Sequence, residues 1–140
     1  RYELVHRLKA EFPHLVVAIN GGLTDAAQVT RELQHVDGAM IGREAYHHPW
    51  WLASWDSSFY GEPERGLTRQ AVEEQMVAYM EREHARQGTP WYSIARHMLG
   101  LYNGLPGARR WRQVWSDHRL KTRPAREVMA LAHQAVPAAG

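Results

Sequence analysis

The stretch LVVAINGG, residues 15–22, decides the fold class of the first part of this chain. Its first five residues form a continuous apolar run rich in β-branched side chains, a pattern typical of a strand buried on both faces of a parallel sheet. The Asn-Gly-Gly sequence that follows ends this strand. A second apolar run, GAMI at residues 38–41, ends in the same way before a Gly-Arg pair. The two runs predict neighbouring parallel strands.

Helical segments flank and separate the two predicted strands. Residues 4–10 have apolar positions four apart, as at the end of a helix, residues 24–25 can cap a helix over residues 26–34, and another helix begins near Glu44. Such alternation indicates parallel strands with crossover helices, as in a barrel or a doubly wound sheet. Because two strands cannot form a stable parallel sheet alone, we expect residues 1–60 to be the incomplete end of a larger α/β domain.

The residues that follow each predicted strand can bind an anion. Asn20, Gly21 and Gly22 would present unhindered backbone N–H groups after the first strand, and Gly42 and Arg43 repeat this arrangement after the second. A guanidinium grips phosphate oxygens through paired hydrogen bonds. Either motif alone is more often an ordinary turn. Together they predict a phosphate site of the kind that barrels form after strands 7 and 8.

The second part of the chain reads as a helical domain. The pattern between residues 50 and 66 breaks into Trp, Ser, Gly and Pro, which predicts a linker and places a helical bundle in residues 67–140. The predicted helices run from residue 68 to about 87, from about 90 to 102, onward from 108, and from about 125 to 135.

Apolar residues at helical spacing predict which side chains form the core of that bundle. The three tryptophans of the set are interpreted as core rather than as base-stacking residues. The predicted inward positions are Val72, Met76, Tyr79, Met80, Trp91, Ile94, Ala95, Met98, Tyr102, Trp111, Val114, Trp115, Val128, Met129, Leu131 and Ala132.

Charge is distributed unevenly along the chain. The net charge is +2 over 140 residues, but residues 109–126 contain seven Lys and Arg side chains against Asp117 alone. A solvated helical surface usually mixes signs, so this one-sided block indicates a polyanionic partner, with ordinary surface charge as the alternative.

Four arginines are the candidate RNA contacts within the helical part. Arg109, Arg110 and Arg112 lie in the first turn of a predicted helix, where positive charge opposes the helix dipole and works against local stability. Guanidiniums and backbone amides that converge there would suit RNA phosphates or an unpaired base. Arg96 lies on the preceding predicted helix, beside His97, which we interpret as a structural histidine.

Composition excludes several classes of function. The chain has no cysteine, so it contains no disulfide, thiolate metal site or catalytic cysteine. No apolar run approaches the ~20 residues of a membrane span, and we expect a cytoplasmic protein. Adjacent histidines at positions 47 and 48 would point apart on a helix, so we expect no metal site. The oligomeric state stays open, and 140 residues are fewer than the ~250 of a complete (β/α)₈ barrel.

Four segments in this order resemble the bacterial tRNA-dihydrouridine synthases, most closely the A-type subfamily that acts on D-loop positions 20 and 20a. They are AINGG at 18–22, VDGAMIGREAY at 36–46, RHMLGLY at 96–102 and PGARRWR at 106–112. Members of that family have an FMN-binding TIM barrel followed by a helical tRNA-binding domain. The resemblance therefore implies the last two βα units of the barrel, followed by the C-terminal helical bundle.

The resemblance also implies cofactors and roles. In the family, NADPH reduces FMN, FMN delivers a hydride to uridine C6, and a barrel-loop cysteine protonates C5. We expect the catalytic residues upstream of this chain, and no activity from the chain alone, because that cysteine is absent here. The FMN phosphate residues would be Asn20, Gly21, Gly22, Gly42 and Arg43, and the tRNA-contacting arginines would be Arg109 and Arg112.

Two other functions remain open from the sequence. A non-catalytic RNA-binding helical module with a barrel remnant would also explain the basic block. Another FMN or sugar-phosphate barrel enzyme would explain the glycine turns but not the basic block.

Overall fold

Two short parallel strands form the sheet of the computed structural model, which describes residues 1–136. Strand β1 (Ala18–Asn20) pairs with β2 (Gly38–Met40) in the register Ala18 to Gly38 and Asn20 to Met40. The parallel pairing confirms the predicted arrangement. Strand β1 begins three residues later than predicted, because the Leu15 N–H donates to the Phe12 carbonyl oxygen and holds that residue in a turn.

Three helices accompany this strand pair. The cap predicted at residues 24–25 is present, since Asp25 Oδ1 accepts a hydrogen bond from the Gln28 N–H at 2.8 Å. Gln28 Oε1 in turn accepts from the Thr24 N–H at 3.0 Å, which completes a variant of the capping box. The helices are α1 (Tyr2–Glu11), α2 (Ala26–Glu32) and α3 (Arg43–His47).

Beyond α3, the regular elements of the described chain are all helices. Thr68 caps the longest helix by accepting from the Ala71 N–H, and Gly88 ends it in the left-handed conformation with φ of 75°. The helices are a 3₁₀ helix (Pro49–Ser54), α4 (Trp55–Tyr60), α5 (Arg69–Gln87), α6 (Trp91–Ala95), α7 (Ala108–Trp115), a second 3₁₀ helix (His118–Leu120) and α8 (Ala125–His133).

The segment predicted as a linker is helical over residues 49–60, and only residues 61–68 lack regular structure. Trp50 packs under the guanidinium of Arg69, 4.6 Å from its ring centroid, and this contact ties the segment to α5. Contacts divide the chain into two compact units between residues 46 and 47, a few residues before the segment predicted as a linker at residues 50–66. The last four residues of the predicted helical domain lie outside the described residues.

The predicted helix over residues 90–102 is shorter than expected. Helix α6 ends at Ala95, and turns occupy the residues up to α7. Gly100 lies in these turns against the carbonyl oxygen of His47, so closely that a Cβ there would overlap that oxygen.

The core of the second unit confirms the three tryptophans as buried residues and corrects the inward side of α5. Glu73 and Val77 are fully buried, and the predicted Val72 and Met76 are half-buried and pack against the core. Tyr79, predicted to point inward, is exposed. The core residues are Val77, Met80, Trp91, Ala95, Met98, Leu101, Tyr102, Ala108, Trp111, Val114, Trp115, Ala125, Val128, Met129 and Ala132.

Within residues 1–136, none of the helices combines the length and the hydropathy needed to cross a membrane.

Candidate functional site

The sheet register brings the two glycine turns together. Asn20 pairs with Met40, so the turn that follows β1 and the Gly42-Arg43 turn that follows β2 lie at the same edge of the sheet. Gly22 has a φ of 69°, in the left-handed region that favours glycine, and the position of an added Cβ is open space. The predicted FMN phosphate residues are thus neighbours in the fold.

Helix α1 contacts the first of these turns through Tyr2. The Tyr2 hydroxyl donates a hydrogen bond to the Gly21 carbonyl oxygen. The Tyr2 ring lies only 3.1 Å from the position that a Cβ of Gly21 would occupy. A Cβ at position 21 would therefore press on the Tyr2 ring, which would have to move by a few tenths of an ångström.

Arg43 begins α3 directly after the second turn. Its side chain is exposed, and among residues 1–136 its guanidinium forms no hydrogen bond or ion pair. Its donors are therefore available to an anion that occupies the space beside the turns.

In the second unit, two successive hydrogen bonds through Asn103 hold the guanidinium of Arg112. Its Nη1 donates to Asn103 Oδ1 at 2.5 Å, and Asn103 Nδ2 donates to the His47 carbonyl oxygen at 2.6 Å. The side chain is half-buried, and Nη1 is the one nitrogen of its guanidinium with a hydrogen bond to a described residue. The remaining donors of Arg112 can still meet a ligand.

The structure separates the three arginines that the sequence grouped together. Arg110 and Arg112 are about 200° apart around α7, on either side of the buried Trp111. Arg109 is exposed and has no hydrogen bond or ion pair to another described residue. The predicted RNA contacts of α7 therefore lie on two sides of that helix.

Arg96 follows α6 and is also exposed. Its Nε donates to His97 Nε2 at 3.1 Å. It lines a cleft of about 360 Å³ together with Tyr92, His118 and Lys121. Neither Asn103 nor Arg112 lines this cleft.

Several other basic side chains of residues 109–126 already have partners. The Arg119 guanidinium donates to both oxygens of Asp117, and these bonds hold the pKa of that carboxyl below its ordinary value. Lys121 Nζ lies 4.4 Å from the centroid of the Tyr92 ring. Arg126 pairs with Glu74 and Glu81 of α5, where its hydrogen bonds lower the pKa of Glu81.

Sequence reasoning missed the most strongly connected side chain of this unit, Glu73. Its Oε1 accepts from the indole N–H groups of Trp111 at 2.9 Å and Trp115 at 2.8 Å. Its Oε2 lies 3.3 Å from the Tyr102 hydroxyl, which donates, and 2.7 Å from His133 Nε2. Burial first, and the Glu73 charge second, raise the pKa of Tyr102 well above its ordinary value, so its proton stays in place.

One signal in the sequence could have found Glu73. Indole and phenol groups that are predicted to be buried need acceptors, and Tyr102, Trp111 and Trp115 are three of the groups so predicted in this bundle. An acidic residue on the facing helix is the simplest acceptor. The network fixes α7, and with it the arginines, against α5 and α8.

No group of three or more His, Cys, Asp or Glu side chains within residues 1–136 has the arrangement of a metal site.

A model of the dihydrouridine synthase family matches residues 1–136. Three similar proteins are each named tRNA-dihydrouridine(20/20a) synthase. The protein of Shewanella oneidensis is 44% identical over 135 residues, which cover 96% of this chain and 40% of that protein. The Escherichia coli K12 protein is 45% identical over 84% of this chain and 34% of its own length, and the Vibrio cholerae protein is 40% identical over 97% and 41%. The chain thus spans between a third and two fifths of the length of these relatives.

Proposed function

The chain belongs to the dihydrouridine synthase family, and on that premise we propose that it is part of a flavin-dependent oxidoreductase that reduces uridines 20 and 20a of tRNA to dihydrouridine with NADPH. The observation that supports this most is the parallel pairing of β1 and β2. It puts two glycine turns at one edge of the sheet together with the guanidinium of Arg43, which has no partner among residues 1–136. The substrate implies a cytoplasmic enzyme.

The first unit would bind the phosphate of FMN. Asn20, Gly21 and Gly22 would supply backbone and amide donors, Gly42 would allow a close approach, and Arg43 would supply charge. The residues fit such a group because the space beside Gly22 is open and Arg43 has no partner among residues 1–136. Bound FMN, once reduced, would supply the hydride that the uracil ring receives.

The exposed surface of this unit supports its place in a larger barrel. Val16 is 89% exposed and Leu15 is 42% exposed, although both belong to an apolar run typical of a doubly covered strand. We propose that residues 1–60 are the last two βα units of a TIM barrel and that further strands cover these side chains in the intact protein.

The second unit would hold tRNA. The helical domain, proposed as residues 67–140, would orient the RNA through Arg109, Arg110 and Arg112 of α7 and through Arg96. The target uridine has to leave its stack before its C5 and C6 atoms can meet a flavin. Phosphate contacts of this kind fix the register of the RNA, so that one uridine reaches the barrel.

Dihydrouridine formation tests the proposed reaction. Intact protein, FMN, NADPH and an unmodified tRNA transcript are combined, and digested RNA is analysed by mass spectrometry. We expect dihydrouridine at positions 20 and 20a. A transcript in which these positions carry other bases is the control. Absence of dihydrouridine from protein that has bound both FMN and tRNA would overturn the proposed reaction.

Flavin retention tests the phosphate site separately. Arg43→Ala removes a charge-assisted contact, which contributes on the order of 1.5 to 3 kcal/mol, so FMN affinity should fall by about tenfold or more. Arg31→Ala is the matched control, because Arg31 is an exposed arginine in the last turn of α2. Equal FMN affinity of Arg43→Ala and wild type in a dialysis titration would remove Arg43 from the site.

A further inference from the structure

A concavity of about 530 Å³ lies on the side of α7 that Arg112 does not occupy. It is formed by α7, the second 3₁₀ helix, the loop before α8, and α8 itself. The residues that line it are Arg110, Val114, Asp117, Arg119, Leu120, Arg123, Leu131 and Gln134.

The charge of this concavity is strongly positive. Three guanidiniums from three separate segments face one carboxylate. Asp117 is engaged by Arg119, with the Nη2 of Arg119 2.9 Å from Asp117 Oδ2. Arg110 and Arg123 are exposed, and their guanidiniums form no hydrogen bond or ion pair with another residue of the described chain. Two cationic groups therefore remain available to a ligand.

The shape and lining of the concavity favour a nucleic-acid strand. The space is much larger than one phosphate group, so it can take consecutive nucleotides. Val114, Leu120 and Leu131 supply apolar surface for sugars, and Gln134 supplies a neutral hydrogen-bonding group. A membrane-binding surface would instead present large exposed apolar side chains. None of the large apolar residues that are exposed within residues 1–136 lines this concavity.

We infer that Arg110 and Arg123 form a second RNA contact that binds successive backbone phosphates of the tRNA, separate from the contact of Arg112. The inference rests on the proposed function, which makes tRNA the substrate, and it adds Arg123 to the interface. Since Arg110 and Arg112 flank Trp111, one helix would bridge two stretches of the tRNA backbone.

Charge-neutral variants of the intact protein test this contact with a tRNA transcript. We expect Arg110→Gln and Arg123→Gln each to weaken binding by about three- to tenfold and to reduce the slope of log affinity against log salt by about 0.9. Arg82→Gln is the control, since Arg82 is an exposed arginine of α5 outside the concavity. It should leave the salt slope unchanged.

Asp117→Asn is a variant with the opposite expected sign. An asparagine oxygen can still accept from the Arg119 N–H, which Asp117 Oδ1 does at 2.9 Å, so the turn is kept. Removal of the negative charge should tighten tRNA binding by about two- to fivefold and steepen the salt slope. Damage to the fold would lower affinity and cannot produce this result.

The outcomes separate the two proposals. If the Arg110, Arg123 and Asp117 variants all match wild type while Arg112→Ala weakens binding, the concavity is not an RNA site and the proposed function stands. If wild-type protein neither binds the transcript nor forms dihydrouridine, the proposed function fails, and this inference fails with it. The inference would also be overturned if substitution of Arg110 and Arg123 weakened binding to anionic vesicles but left tRNA binding unchanged.

Discussion

The two units of this chain bury their apolar side chains to different extents. In residues 47–136, one continuous core surrounds Trp111 and Trp115, and even the buried carboxylate of Glu73 has hydrogen-bond partners. In residues 1–46, the buried apolar side chains are Ile19, Leu23, Val29 and Val36, and the apolar run before β1 is largely exposed.

This difference indicates which unit needs additional protein to cover its apolar side chains. A helical bundle can enclose its core within 90 residues, since each helix buries one apolar stripe against its neighbours. A parallel strand pair cannot, because both faces of each strand need cover. We therefore expect the second unit to determine the stability of this chain, and the first unit to reach full stability only in the intact protein.

Removal of the Glu73 carboxylate should have the largest effect on the second unit. Glu73→Ala leaves two indole N–H groups and the Tyr102 hydroxyl without their acceptor in the core, which should lower the free energy of unfolding by about 3–5 kcal/mol. Chemical denaturation followed by tryptophan fluorescence measures this. Glu74→Ala, an exposed neighbour on α5, is the control and should cost about 1 kcal/mol or less. A Glu73→Ala protein as stable as the control would show that the network does not hold the bundle together.

Gly107 should be the next most sensitive position. It has a φ of 82°, and a Cβ there would overlap the carbonyl oxygen of Ala135. Gly107→Ala should therefore destabilise the second unit by about 2–4 kcal/mol, because strain adds to the clash.

Gly104 offers a matched comparison for that substitution. It has a φ of 87°, but nothing lies within 4 Å of its Cβ position, so Gly104→Ala should cost only about 1 kcal/mol. Thermal unfolding of both variants measures the difference. Equal costs would mean that the close approach of residue 135 contributes nothing to the position of α7.

Arg112 should affect RNA binding more than stability. Arg112→Ala removes a guanidinium that Asn103 orients, so tRNA affinity of the intact protein should fall by about tenfold while FMN affinity stays unchanged. Arg112→Lys keeps the charge but not the planar group, and partial recovery would indicate a phosphate contact rather than base stacking. Filter binding measures the RNA, and flavin fluorescence measures FMN. Loss of FMN together with tRNA would contradict a division of ligands between the units.

The smallest effect in this chain is expected at Val16. Because its side chain is 89% exposed, Val16→Lys should change the unfolding free energy of the 140-residue chain by less than about 0.5 kcal/mol. The same substitution in the intact protein should be strongly destabilising if further barrel strands cover this position. Equal behaviour in both proteins would show that Val16 faces solvent throughout.

Much of the fold was predictable because it depends on local patterns. The apolar runs located the strands, Thr68 and Gly88 marked the ends of α5, and Trp111 and Trp115 were assigned to the core. The glycine turns were also found, because Asn-Gly-Gly and Gly-Arg follow the strands directly. Their closeness in space followed from parallel pairing alone.

The features that were missed depend on contacts between distant residues. Residues 49–60 fold into helices, and Trp50 in the first of them contacts Arg69 of α5, although their Trp, Ser and Pro content is typical of a linker. Arg126 forms an ion pair with Glu81, which is 45 residues away in the sequence. This pair neutralises one of the positive charges that the sequence showed without a partner in residues 109–126. Glu73 was missed because a search for apolar residues at helical spacing does not select a carboxylate, even where buried hydrogen-bond donors require one.

Amide hydrogen exchange of the intact protein, with FMN or with tRNA added separately, tests the division of labour between the two units most directly. FMN should slow exchange at residues 18–22 and 40–44 and leave α7 unchanged. A tRNA transcript should slow exchange at residues 103–126 and leave the glycine turns unchanged. Protection of α7 by FMN alone, or no protection of the glycine turns at saturating FMN, would contradict the account.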